Sequence, residues 1–146
     1  MIAETIEVKG HVHIEMLRAH GLKEVYDFDN LVVTVGKTFI ASRIVGAVQA
    51  VMNWMAVGTN PAAPAIGDTT LGTEVARVAF DSAGSSSGAG CTFSATFGPG
   101  VGTGALVEAG MFNAASAGTM LSHVSYPVVN KQAGDTMAIT WTLTVT

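Results

Sequence analysis

Residues 5–16, TIEVKGHVHIEM, alternate in character at every step. Ile6, Val8, Val12, Ile14 and Met16 fall on one side, with Gly10 in register. Thr5, Glu7, Lys9, His11, His13 and Glu15 fall on the other. A repeat of two over that length is the signature of a strand with one face buried, and it leaves a helix no coherent apolar face. The end of the chain repeats the pattern. In DTMAITWTLTV, Met137, Ile139, Trp141, Leu143 and Val145 share a face, and threonines occupy the other. Branched side chains suit extended backbone, so those threonines read as an outer strand face.

Between these ends the chain is punctuated at short intervals. RAHG is a turn, and LKEVYDF returns as a second strand, with Gly10 marking a bulge or bend in the first. Phe39, Ile40, Ile44, Val45 and Val48 recur at helical spacing, which predicts one short helix over residues 36–50 with its apolar stripe laid on a sheet. NWMAVG, TEVARVAF and CTFSATF read as strands. TNPAAPAIGDTTLG is a proline-containing loop, ordered only if it packs on something. DSAGSSSGAG is a hairpin tip and GPGVGTG a turn. VEAGMFNAASAGTML is the end of one strand, a tight connection and the start of the next. The sum is a single domain, residues 1–146, mainly β: an antiparallel β-sandwich or jelly roll of about eight strands with one short helix.

Charge narrows the function. Only 12% of residues are charged, against about 25% in an average soluble domain. A surface with so little repulsion suits a chain covered by other protein. The net charge is -4 and the seven basic residues are scattered, so no basic face for a nucleic acid backbone is expected. Nor is a membrane segment or a signal peptide. The single cysteine, Cys91, lies on an apolar-alternating face and reads as a small core residue.

Few of the polar residues stand in a pattern that points to a site. His11 and His13, two apart on one strand face, have a spacing that can share a zinc ion, with Glu7 or Glu15 as an oxygen donor. The plainer reading, a polar outer face, is preferred, and no metal or cofactor is expected. Glu108 is the sole charge between Gly98 and Lys131. A lone carboxylate among glycines and alanines needs a donor; Arg77 and Lys131 are the candidates. Arg77 is thus expected to pair with Glu108 first and Glu74 second, since regular alternation puts Glu74 and Arg77 on opposite faces. Asp68 with Thr69 and Thr70 reads as a turn or cap. Ser85, Ser86 and Ser87 form a loop tip, not a nucleophile elbow. GPGVGTG lacks the helix and lysine of a phosphate loop. An enzyme is therefore not expected. Trp54, Pro61, Pro64, Ile66 and Phe112 are candidate interface residues.

The runs FDNLVVTVGKTFIASRIVG, MAVGTNPAAPAIGDTTLGTEVARVAF and ATFGPGVGTGALVEAGMFNAASAGTML, with a Trp-bearing last strand, together resemble small structural proteins of tailed-phage virions. In that resemblance Gly58, Thr59, Asp68, Thr69, Leu71, Glu74, Arg77, Glu108, Gly110, Phe112 and Trp141 are pattern positions of fold and loop packing. The resemblance implies a non-enzymatic virion protein made in the host cytoplasm. It would be a capsid decoration (cement) protein, a homotrimer seated on the major capsid protein, or alternatively a tail or tail-fibre component involved in host attachment.

Overall fold

A computed structural model describes residues 2–146. Nine strands and one helix follow in the order β1 (Val8–Leu17), β2 (Lys23–Val32), α1 (Thr34–Ile44), β3 (Trp54–Gly58), β4 (Glu74–Ala79), β5 (Ser85–Ser87), β6 (Gly90–Phe97), β7 (Gly104–Phe112), β8 (Met120–Lys131) and β9 (Thr136–Val145). The strand beyond the expected eight is β5, a short ladder inside the serine-rich hairpin tip.

All the pairings are antiparallel, in one sheet of order β4-β3-β7-β8-β2-β1-β9-β6-β5 that curls into an open half-barrel. The alternation at the two chain ends is satisfied by pairing those ends. β1 lies between β2 and β9, and His11 faces Thr142 while Val12 faces Trp141. β2 holds the curl together: it pairs with β1 for most of its length, and its last residues, Leu31 and Val32, pair with His123 and Ser122 of β8.

The concave side is the core. Val12, Ile14 and Met16 of β1, Met137, Ile139 and Trp141 of β9, and Ala95 and Phe97 of β6 face Met55, Val57, Ala109, Met111 and Val124 of the other arm, in one buried cluster. Trp141 is fully buried, and truncating an aromatic of this size in a closed core costs about 3–5 kcal/mol. Its indole N–H donates to Asn30 Oδ1 at 3.0 Å. Gly10 serves this bond rather than a bulge. Gly10 pairs in both ladders without a register shift, within the one to β9 and as the last pair of the one to β2, and a Cβ there would fall on the Asn30 side chain, 1.6 Å from its Oδ1.

The two arms also meet opposite β2, without a ladder. The Asp81 N–H donates to the Ser94 carbonyl at 2.8 Å. The Asp81 carboxylate accepts the Thr96 N–H at 3.0 Å and the Thr96 hydroxyl at 2.8 Å. Phe80 packs on Phe93 with centroids 5.3 Å apart.

The helix is shorter than its predicted span of 36–50. It ends at Ile44 because Gly46 takes a left-handed conformation, φ 74°, and its N–H returns to the Arg43 carbonyl, the usual glycine stop. Phe39 is buried, but Ile44, Val45 and Val48, expected in the packed stripe, are exposed.

A second, smaller apolar cluster lies on the convex side of the β3–β7–β8 arm: Val33, Ala56, Leu71, Phe112 and Met120, with Val35 and Trp54 at its margin. The loop 59–73 lies over this face.

Candidate functional site

Glu108 stands at the middle of β7, opposite Gly58 of β3 and Ser125 of β8. It is only 1% exposed. The side chain fits because position 58 has none: a Cβ on Gly58 would lie 2.4 Å from Glu108 Oε1 and 2.4 Å from the Thr73 carbonyl. The loop 59–73 closes over the carboxylate and supplies its donors. Oε1 accepts the backbone N–H of Asn60 at 3.2 Å and of Thr73 at 2.9 Å, and Oε2 accepts that of Gly72 at 3.0 Å.

The fourth partner is His123 of β8, which faces the convex side from opposite Gly110. Its Nε2 lies 3.0 Å from Glu108 Oε2 and its Nδ1 2.8 Å from Asp68 Oδ2. Each ring nitrogen thus has a carboxylate oxygen at hydrogen-bond distance. Asp68 also accepts the Ala65 N–H at 2.8 Å. That amide, and then His123, hold the Asp68 carboxyl below the usual carboxylate range. The turn lies before Asp68 rather than over Asp68, Thr69 and Thr70: it spans residues 65–68 and is closed by the Asp68 N–H to the Ala65 carbonyl.

The cluster Glu108–His123–Asp68 borders a polar pocket of about 340 Å³ under the loop, shared with Asn60, Thr69 and Thr70. The chemistry it can perform follows from its bonding. Both imidazole nitrogens are engaged by carboxylates, and the Glu108 oxygens already accept three amides. What the arrangement does is tie a loop of two prolines to β7 and β8 through one buried carboxylate and His123.

Arg77 does not pair with Glu108. Its Nε and one terminal nitrogen donate to the two oxygens of Glu74 at 3.0 and 2.7 Å. Its other terminal nitrogen donates to the carbonyls of Ala114 and Ala117 at 2.8 and 2.9 Å. The guanidinium lies over the Phe112 ring, 3.7 Å from its centroid. The reason is a bulge. Val57 faces Ala76 but Gly58 faces Glu74, leaving Val75 as an extra residue, so the alternation slips by one and Glu74 and Arg77 share a face. Lys131 is also elsewhere. It is buried, and its ammonium donates to the carbonyls of Gly98 and Asp135 at 2.9 and 2.7 Å. Burial pushes its pKa down, with Asp135 partly opposing.

His11 and His13 share a carboxylate. Nε2 of His11 and Nδ1 of His13 lie 2.9 and 2.8 Å from the same Asp27 oxygen, and His11 reaches Asp29 at 3.3 Å. Asp27 is the main reason both imidazoles are raised above their ordinary value. Among the described residues, no group of three or more His, Cys, Asp or Glu is arranged to hold a metal ion. His20 and His123 lie elsewhere, His20 exposed in a turn.

Of the interface candidates, Phe112 is core rather than surface, fully buried under Arg77. Trp54 and Pro64 are half-buried, Pro61 is exposed, and Ile66 is 48% exposed. Sequence reading missed His123 and the loop amides as the partners of Glu108. Period two along β8 could not have found it, because a register shift at Leu121 puts Met120 and His123 on the same convex face. Compared with known proteins, the chain matches no protein family, no curated protein and no solved structure.

Proposed function

We propose that this chain is a non-enzymatic structural protein of a tailed-phage virion, a capsid decoration protein that binds as a homotrimer over contacts between major capsid proteins. The observation that carries the reading is apolar surface left without a partner inside the chain. Ile44 and Val45 are each 82% exposed, Val48 is fully exposed, and Val51 follows at 58%. Four such side chains within eight residues are not isolated surface apolars, and a patch of this kind marks a protein contact.

The buried cluster supports the same reading from the other side of the molecule. By fixing loop 59–73, it presents Pro61 and Ile66 in a set conformation, which lowers the ordering cost of docking. The low charge and the resemblance in residues 28–46, 55–80 and 95–121 are what support a virion as the setting of that docking. In fold terms, the proposal takes the two arms of the curled sheet as the layers of an antiparallel β-sandwich; their shared core supports this. Virion location follows, with synthesis in the host cytoplasm.

Counting copies per particle tests the proposal. A decoration protein is present in proportion to the capsid lattice, and shells lacking it burst at lower temperature. A few copies confined to the tail would transfer the chain to the alternative, a tail or tail-fibre component, and overturn the decoration reading.

A further inference from the structure

The open side of the half-barrel holds an apolar cleft of about 730 Å³. One wall is α1 and the approach to β3, with Phe39, Ile40 and Met52. The other is the end of the sheet, with Cys91, Phe93 and residues of β5. β5 is an end strand, with β6 on one side and no strand on the other. An end strand beside an apolar trough is the arrangement that accepts an extended peptide: backbone bonds add it to the sheet, and alternate side chains fill the trough. One cation stands at the rim. Arg43 donates to the carbonyls of Ala47 and Gln49, and among the described residues it has no carboxylate partner.

The chain itself contains a segment of matching chemistry. Residues 2–6, IAETI, precede β1 and lie outside any strand. Ile2 is 96% exposed and Ile6 73%. In an extended segment Ile2, Glu4 and Ile6 point the same way, two apolar side chains flanking one carboxylate. That order complements an apolar trough carrying an unneutralised guanidinium. The segment spans about 17 Å at about 3.3 Å per residue. It does not fill its own cleft: Glu7 and Thr146 exchange two backbone hydrogen bonds, at 2.7 and 2.9 Å, which fix where the segment leaves the sheet, and Ile2 and Ile6 beyond that point are exposed.

We propose that residues 2–6 of one copy occupy the apolar cleft of a second copy, beside β5, with Ile2 and Ile6 in the trough and Glu4 against Arg43. Passed head to tail, such a contact closes into a ring, which is how a trimer forms from one asymmetric interface. This rests on the self-association part of the reading above, and its tests separate the two.

Cys91, the only cysteine, lines the cleft and makes the direct test available. Ile6→Cys, at an exposed position, is oxidised mildly and run without reductant. The expected result is covalently linked oligomers, lost in Ile6→Cys/Cys91→Ser. A disulfide closed within one chain overturns the proposal. Deleting residues 2–6 should turn the oligomer into a monomer. Glu4→Lys and Arg43→Glu should each weaken association on the order of tenfold, and the pair together should restore it. The double variant guards against Arg43→Glu acting only by loosening the helix end. If the oligomer survives the deletion and no cross-link forms, the arm exchange is wrong while self-association stands. If wild type is a monomer at every concentration, both fall. Native mass spectrometry that finds a monomer carrying a fatty acid gives the cleft another occupant and also overturns the proposal.

Discussion

At the scale of residues, Asp27 sets the charge of the β1 outer face. It holds His11 and His13 above the ordinary imidazole value of 6.5, and the two in turn hold it low. A histidine raised on folding contributes stability that is full below its unfolded value and lost as pH rises through the folded one. NMR titration is expected to find both imidazoles above the ordinary value, and Asp27→Asn to bring both down. Titration of either at or below 6.5 in wild type would contradict the geometry. Glu108 is a different case, since loop 59–73 is bonded to its carboxylate through three amides. Glu108→Ala leaves three part-buried amides and the Nε2 of His123 without their partner, and is expected to cost about 3–5 kcal/mol. Denaturant unfolding reads the loss. Amide exchange locates it: Asn60, Gly72 and Thr73 should exchange faster, with the β1–β9 ladder least affected. A loss under about 0.5 kcal/mol, the scale of an ordinary surface change, would mean that the carboxylate does not hold the loop.

At the scale of elements, single residues decide which face a strand presents. The extra residue Val75 puts Arg77 on the convex face beside Glu74 and over Phe112. Arg77→Ala is therefore expected to cost about 2–4 kcal/mol through the pair, the two carbonyl bonds and the ring contact. A double-mutant cycle should show coupling between Arg77 and Glu74, while Arg77 and Glu108, with no shared bond, should add. Coupling with Glu108 and none with Glu74 would reverse this assignment. Gly46 acts similarly on α1. By ending the helix at Ile44 it leaves Ile44, Val45 and Val48 outside the core, and so creates the surface on which the functional proposal rests.

At the scale of the whole molecule, a half-barrel with an open apolar side and little charge is expected to associate. Sedimentation at micromolar concentration should give the mass of a trimer of the 14.9 kDa chain, and a monomer both free and on shells would refute it. The alternation in residues 5–16 and 135–145 placed Val12, Ile14, Met16, Met137, Ile139 and Trp141 in the core, because a strand's two faces follow from a period fixed by backbone geometry, but Ile6 and Val145 on the same faces lie exposed where the pairing runs out. The mainly-β class, the turns and the loop at Pro61 and Pro64 followed from equally local rules. Tertiary structure decided everything that depended on which strands became neighbours. The need of Glu108 for a donor was legible; that the donors were His123 and the amides of Asn60, Gly72 and Thr73 was not, because those groups lie up to 48 residues away in the chain. The pairing of Arg77 was misjudged because a bulge arises between two strands rather than within one. The role of Gly10 waited on Asn30, and the unfilled cleft on the curl of the whole sheet. Period and propensity act through the bonds of neighbouring residues, whereas pairing, bulges and cavities are settled only where distant segments compete for the same space.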